Sequence, residues 1–192
     1  MLTTKILRKT AFTMLELIIV IVVVGIISIV MIPKTDTDPA RDAANQVSRH
    51  LQYAQHLAMV DDVFNDQNAS WPGDRWGLLL GSSGKYTVQT GKGRYALDPL
   101  TKVNLDGTGI TDLGRKFSVS SITINCGGSA AGAIVFDNIG RPYQLGSSWG
   151  ATSATAGRLN NTNCLVTVTG ENESADFTLN GETGYIGDVT VH

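Results

Sequence analysis

Glu16 is the residue whose setting most needs explaining, because it is the single charge between Phe12 and Ile32, in the run FTMLELIIVIVVVGIISIVMI. A carboxylate inside an apolar helix costs on the order of 3 kcal/mol or more to place in lipid, so it calls for a partner. A second candidate is Gly146-Ser147-Ser148-Trp149-Gly150, which matches the G-x-S-x-G pattern of hydrolase nucleophiles, with downstream acids and His192 completing the chain order Ser, acid, His. That chemistry needs a strand before the serine and a helix after it. Here Ala151 to Gly157 is a small-residue loop with no apolar face, and His192 lies at a terminus expected to fray. Asn104 to Asp112 places oxygens at alternating positions with Gly107 after Asp106, like a calcium loop, but it lacks the first Asp and the bidentate Glu that such loops use. Cys126 and Cys164 read first as one disulfide, with two buried thiols as the alternative; no His lies near either, so a metal site is disfavoured. His50 and His56 are six apart, roughly 240° round a helix, so they cannot share a metal and read as solvated surface histidines.

These residues depend on the elements that hold them, and the apolar run comes first. As a helix its twenty-one residues cover roughly 30 Å, the thickness of a bilayer's hydrocarbon core. The preceding MLTTKILRKTA carries Lys5, Arg8 and Lys9 and no acid, which by the positive-inside rule keeps the N-terminus cytoplasmic and sends the chain from Pro33 onward across. A secretory signal fits less well, since the apolar stretch is long and runs into Met31-Ile32-Pro33-Lys34. Pro33 removes a backbone donor and is expected to break or kink the helix there.

The stretch Lys9-Thr10-Ala11-Phe12-Thr13-Met14-Leu15-Glu16-Leu17-Ile18 resembles the class III signal of type IV pilins and type II secretion pseudopilins. The resemblance implies cleavage by a prepilin peptidase between Ala11 and Phe12, N-methylation of Phe12, and a place for Glu16 as the fifth residue of the mature chain. It further implies that the Glu16 carboxylate pairs with the α-amine of a neighbouring subunit's Phe12 as helices pack into a filament. The family usually has Gly before the cut, and this chain has Ala11. Residues 1–11 are then a leader, 12–33 a transmembrane and filament-core helix, and 34–192 an amphipathic helix with a β-rich globular domain.

Net charge is −2, with no basic run after Lys9, so no strong electrostatic grip on nucleic acid is expected. From Asp38, which can cap a helix with Pro39 in its first turn, the apolar set Ala40, Ala44, Val47, Leu51, Ala54 and Ala58 recurs at spacings of four and three. It predicts a helix to about Val60. Strand-like runs follow at Trp76 to Leu80, Lys85 to Thr90, Arg94 to Leu97, Lys116 to Ile124, Ala133 to Asp137, Cys164 to Thr169, Ala175 to Leu179 and Tyr185 to Val191. The fold class expected is α+β: a long N-terminal helix, transmembrane in its first half and amphipathic in its second, packed on an antiparallel sheet as in pilins.

Ile134 to Pro142 (IVFDNIGRP) and the later Glu182-Thr183-Gly184-Tyr185-Ile186 resemble the closing region of H-type minor pseudopilins and related minor pilins. The function expected is therefore structural: a minor pseudopilin of a type II secretion system, or alternatively a subunit of a type IV pilus for adhesion, motility or DNA uptake. A membrane-anchored hydrolase using Ser148 is the alternative from another class. Implied partners are other pilin or pseudopilin subunits, prepilin peptidase and an inner-membrane assembly platform. The implied location is the inner membrane as a single-pass protein with a periplasmic domain, then the filament. No cofactor is called for, calcium at residues 104–112 apart.

Overall fold

The computed structural model describes residues 13–30, 38–61, 70–146 and 157–192. The chain divides into two compact units, Met1–Thr37 and Asp38–His192. In the first, helix α1 covers Met14–Val30, 17 residues, and Thr13 caps it by accepting the Glu16 backbone N–H on its hydroxyl at 3.3 Å. Seventeen residues measure about 25 Å, short of the roughly 30 Å of hydrocarbon. No helix among the described residues is long and apolar enough to cross a membrane. This overturns the expected membrane span over 12–33, and with it the single-pass inner-membrane placement.

The expected long N-terminal helix is corrected as well. α1 and helix α2, Pro39–Val60, belong to different units, and Asp38 ahead of α2 has extended backbone, φ −83° and ψ 90°. The cause is Pro39 at the first helical position, whose ring disfavours the helical region at the residue before it, so α2 must begin afresh. Asp38 does not cap α2 with its side chain. Glu173 does part of that work, its Oε1 accepting the Ala40 N–H at 3.2 Å from across the unit. Pro33 lies outside the described residues.

Among its described residues the second unit contains α2, the short helix α3 (Leu113–Phe117) and nine strands: β1 (Trp76–Leu80), β2 (Tyr86–Thr90), β3 (Ser121–Cys126), β4 (Ser129–Ala131), β5 (Ala133–Phe136), β6 (Pro142–Leu145), β7 (Cys164–Thr169), β8 (Ser174–Leu179) and β9 (Thr190–Val191). They form two antiparallel sheets, ordered β2-β1-β5-β6 and β4-β3-β7-β8-β9, where the sequence suggested one. The chain changes sheet at Gly132, which separates β4, paired with β3, from β5, paired with β1. Among the described residues, then, three separate helices and two antiparallel sheets stand in place of one long helix on a single sheet.

α2 packs on β1, β2 and β5 of the first sheet and on β7, β8 and β9 of the second. All six positions of its predicted apolar stripe are buried, and Ala43 joins them. Four of the six are alanines, so the helix backbone can approach the sheets closely, while Val47 and Leu51 join Leu78, Ile134 and Phe177 in one buried core. Among the described residues the core begins at Ala40.

Some predicted strands shifted. Lys116 to Ile124 starts as the end of α3, because Asp112 caps that helix by accepting the Arg115 N–H at 3.1 Å, and Ser118 ends it at φ 55°. Arg94 to Leu97 makes only isolated bridges, Gln89 with Tyr95 and Leu97 with Asn104. Tyr185 to Val191 is reduced to β9 and a bridge from Ile186 to Leu179.

Candidate assembly site

In α1 every side chain from Thr13 to Ser28 is exposed, and the large apolar ones range from 47% for Val23 and Ile27 to 85% for Met14. Thr13 and Glu16 form a T-x-x-E start in which the threonine hydroxyl holds the Glu16 amide, so the carboxylate rides on the first turn of the helix. Carboxylates are favoured at that end by the helix dipole. Among the described residues no hydrogen bond or ion pair reaches the Glu16 carboxylate. Toward the other end Ser28 bonds back to the Val24 carbonyl at 2.7 Å, and a Cβ added at Gly25 would meet nothing within 4 Å, which leaves that flank low and open. Ala11 and Phe12 lie outside the described residues.

In the second unit Cys126 and Cys164 are directly paired residues of β3 and β7, with Cα atoms 4.0 Å apart and sulfurs at bonding distance. Both are buried. The bridge closes a covalent loop over the chain passage through both sheets.

His50 is not a surface histidine. α2 turns it inward, where it is 8% exposed and its Nδ1 lies 2.7 Å from the Tyr86 hydroxyl on β2. The neighbouring donors set its tautomer. Lys116 Nζ donates to Gln46 Oε1 at 2.8 Å, which orients the amide so that Gln46 Nε2 donates to Tyr86 Oη at 2.9 Å and to the Ile110 carbonyl. The Tyr86 proton therefore goes to His50 Nδ1, and His50 Nε2–H faces Asp98 Oδ1 at 3.7 Å. Burial lowers the His50 pKa, and Lys116 and Arg49 add to this against the opposing pull of Asp98. Tyr86 is pushed up by burial. For Asp98 burial acts upward, but hydrogen bonds from the Thr101 amide and hydroxyl outweigh it and lower the pKa. The proton on every link is accounted for within the protein, so the chain fastens α2 to β2, α3 and the Asp98 loop and offers no open acid or base.

The GRP turn is organised by Asp137, which is 2% exposed. Its Oδ1 accepts the amides of Ile139 and Arg141, and its Oδ2 accepts Arg141 Nε at 2.7 Å and the Tyr143 hydroxyl at 3.2 Å. Gly140, at φ 82°, allows the turn to close. Gln55 on α2 donates to the carbonyls of Gly140 and Thr183, so the two pieces of the second sequence resemblance meet on one side chain.

The other sequence candidates are used differently. Ser148 lies outside the described residues, and His192 Nε2 is 3.2 Å from Asp176 Oδ2 at an exposed edge. In the calcium-like loop Asp106 Oδ1 accepts both the amide and the hydroxyl of Thr108, and Asp112 caps α3 while pairing with Lys85 at 3.3 Å. Among the described residues no three His, Cys, Asp or Glu side chains are grouped to hold a metal. A cavity of 260 Å³ is lined by Asp74, Thr90, Lys92 and Arg94; its cations are already paired, Lys92 with Asp74 and Arg94 with Asp61.

No family model matches the chain, and neither a curated protein nor a solved structure is similar enough to count as a match.

Proposed function

We propose that the chain is a structural subunit of a pilus-like filament, a minor pseudopilin that serves protein export by type II secretion. The observation that carries this reading is α1. A 17-residue helix with one charge and every side chain from Thr13 to Ser28 exposed has a large unfavourable contact with water. Other copies of the same helix would cover it, with the small residues Gly25 and Ser28 allowing close approach. In that setting Glu16 needs a cation, and the α-amine freed at Phe12 by cleavage after Ala11 supplies one. Prepilin peptidase, the other subunits and an assembly platform are the partners this requires.

A subunit of a type IV pilus is the second reading, since α1 would serve both. The resemblance of the Asp137 turn and the Thr183-Gly184-Tyr185 segment to H-type minor subunits, and their meeting on Gln55, favours the first.

Intact mass spectrometry of the protein from its native host tests the processing. The expected mass corresponds to a chain beginning at N-methylated Phe12 and two hydrogens lighter than the reduced form. A chain that keeps residues 1–11 in cells with active prepilin peptidase would overturn the proposal.

A further inference from the structure

The buried chain from Lys116 to Asp98 holds His50 between two unlike contacts. On one side Nδ1 accepts the Tyr86 hydroxyl at 2.7 Å. On the other Nε2 stands 3.7 Å from Asp98 Oδ1, beyond hydrogen-bond reach. The Asp98 carboxylate is fixed from its own loop: the amides of Leu100 and Thr101 and the Thr101 hydroxyl all donate to Oδ2, while Oδ1 faces the ring. Tyr53 on α2 holds the same loop through the Leu97 carbonyl at 3.0 Å. One contact is thus made in the neutral protein, and the other stands open.

We propose that His50 is an acid-operated latch: protonation breaks its bond to Tyr86, closes it on Asp98 and frees α3 from α2. The step adds one proton, at Nδ1, and breaks no covalent bond. The new Nδ1–H meets Tyr86 Oη, which already accepts Gln46 Nε2–H at 2.9 Å and carries its own proton. Among the described residues Oη has no other hydrogen-bond partner, and Tyr86 is 0% exposed, so the displaced proton has no water to turn to. The acceptor that can be brought to it is Gln46 Oε1, by rotation of the amide. That rotation takes Oε1 from Lys116 Nζ, which it meets at 2.8 Å, and Nε2 from the Ile110 carbonyl. Both are bonds by which α2 holds α3 and the turn before it.

The charged groups around the ring set the direction. Lys116 on α3 and Arg49 on α2 oppose a further cation, as does burial, whereas Asp98 on its loop attracts one; Tyr86 on β2 stays neutral throughout. At neutral pH the ring is therefore held on Tyr86, and it moves only below about pH 6.5.

Ring-nitrogen NMR and amide hydrogen exchange on the oxidised full chain, kept in solution by a mild detergent, test the proposal between about pH 8 and pH 5. At the upper end the His50 proton sits on Nε2 and the Tyr86 hydroxyl proton correlates with Nδ1. Once His50 titrates, that correlation is lost, and the amides of Lys116 and Val119, bonded to the Asp112 and Leu113 carbonyls, exchange at least tenfold faster. The Lys102 amide, bonded to the Asp98 carbonyl, and those of the β1–β5 ladder change less than twofold. In Gln46→Glu a carboxylate accepts from Lys116 and Tyr86 together, so His50 still titrates while α3 stays protected. Asp98→Asn needs about tenfold more acid to titrate His50. A proton on Nδ1 at neutral pH overturns the proposal. So does α3 exchange that ignores the titration, an equal rise in the β1–β5 ladder, release that persists in Gln46→Glu, or a titration unmoved by Asp98→Asn. None of these outcomes bears on Phe12 processing, so the latch and the filament reading fail separately.

Discussion

His50 and Arg75 show how much a single buried polar side chain depends on its partners. His50 is held neutral in the folded protein, with its pKa below the ordinary value of about 6.5. The unfolded chain then binds a proton that the native state refuses, so stability is full above about pH 6.5 and falls as pH drops below it. Asp98 acts in a separate window: its folded pKa is lowered, so its contribution is present above about pH 4 and is lost only in stronger acid. Tyr86, Lys116, Arg49 and Asp98 are the titratable groups facing His50. Thermal melts between about pH 7 and pH 5 should show a falling midpoint that is flattened in His50→Gln, whose carbonyl can still accept from Tyr86. An equal slope in that variant would place the titration elsewhere.

Arg75 is fully buried, donates Nε–H to the Pro72 carbonyl at 2.9 Å and stacks 4.4 Å from the Tyr143 ring centre. Its Nη1 and Nη2 have no hydrogen-bond partner among the described residues, and burial pushes its pKa down. Replacing a buried, incompletely paired charge by an apolar chain of like length is often neutral or favourable. Arg75→Met should keep the packing on Tyr143 and stabilise the unit by about 1 kcal/mol in urea unfolding, whereas a loss above about 3 kcal/mol would mean the guanidinium has partners that matter.

At the scale of elements, α2 is the piece that both sheets share, and its alanines decide how closely they sit. Its flanks are then pinned by polar bonds: Gln46 and His50 to the β2 side, Gln55 to the turns after β5 and β8. Gly184 is needed at the second of these turns, since it has φ 71° and a Cβ there would stand 2.6 Å from the Gly140 carbonyl oxygen. The β3–β7 disulfide works through the unfolded chain, and chain-entropy arithmetic for a separation of 38 residues puts its contribution at about 4 kcal/mol. Denaturant unfolding of the Cys126→Ala, Cys164→Ala double variant should show a loss of about 3–4 kcal/mol, with secondary structure kept because the β3–β7 ladder has six residue pairs. A loss below about 1 kcal/mol would show that the ladder already restrains the unfolded chain.

For the whole molecule, the two units divide the work: a self-sufficient β-rich unit and an apolar helix that cannot be stable bare in water. Under the filament reading Glu16 gives registry between neighbouring helices and contributes nothing to the Asp38–His192 core. Glu16→Ala should therefore leave the melting of that unit unchanged while filament incorporation, measured by immunoblot of sheared filaments, falls at least tenfold. Normal incorporation would count against the pairing of Glu16 with the Phe12 amine.

The span of α2, its buried stripe, the strands β1, β2, β5, β7 and β8, and the pairing of Cys126 with Cys164 were legible in the sequence, because each rests on local periodicity, turn residues or simple parity. The burial of His50 was not. Periodicity assigns a helix face, but whether that flank meets water or Tyr86 depends on where β2 and α3 arrive. The helix break at Asp38–Pro39 was visible as a cap signal and was nonetheless joined to α1, since an apolar run followed by an amphipathic one looks continuous without backbone angles. The division of the strands into two sheets at Gly132 and the meeting of the Gly140 and Thr183 turns on Gln55 were decided by tertiary structure alone. They are sums of contacts between residues far apart in the chain, which no window along it contains.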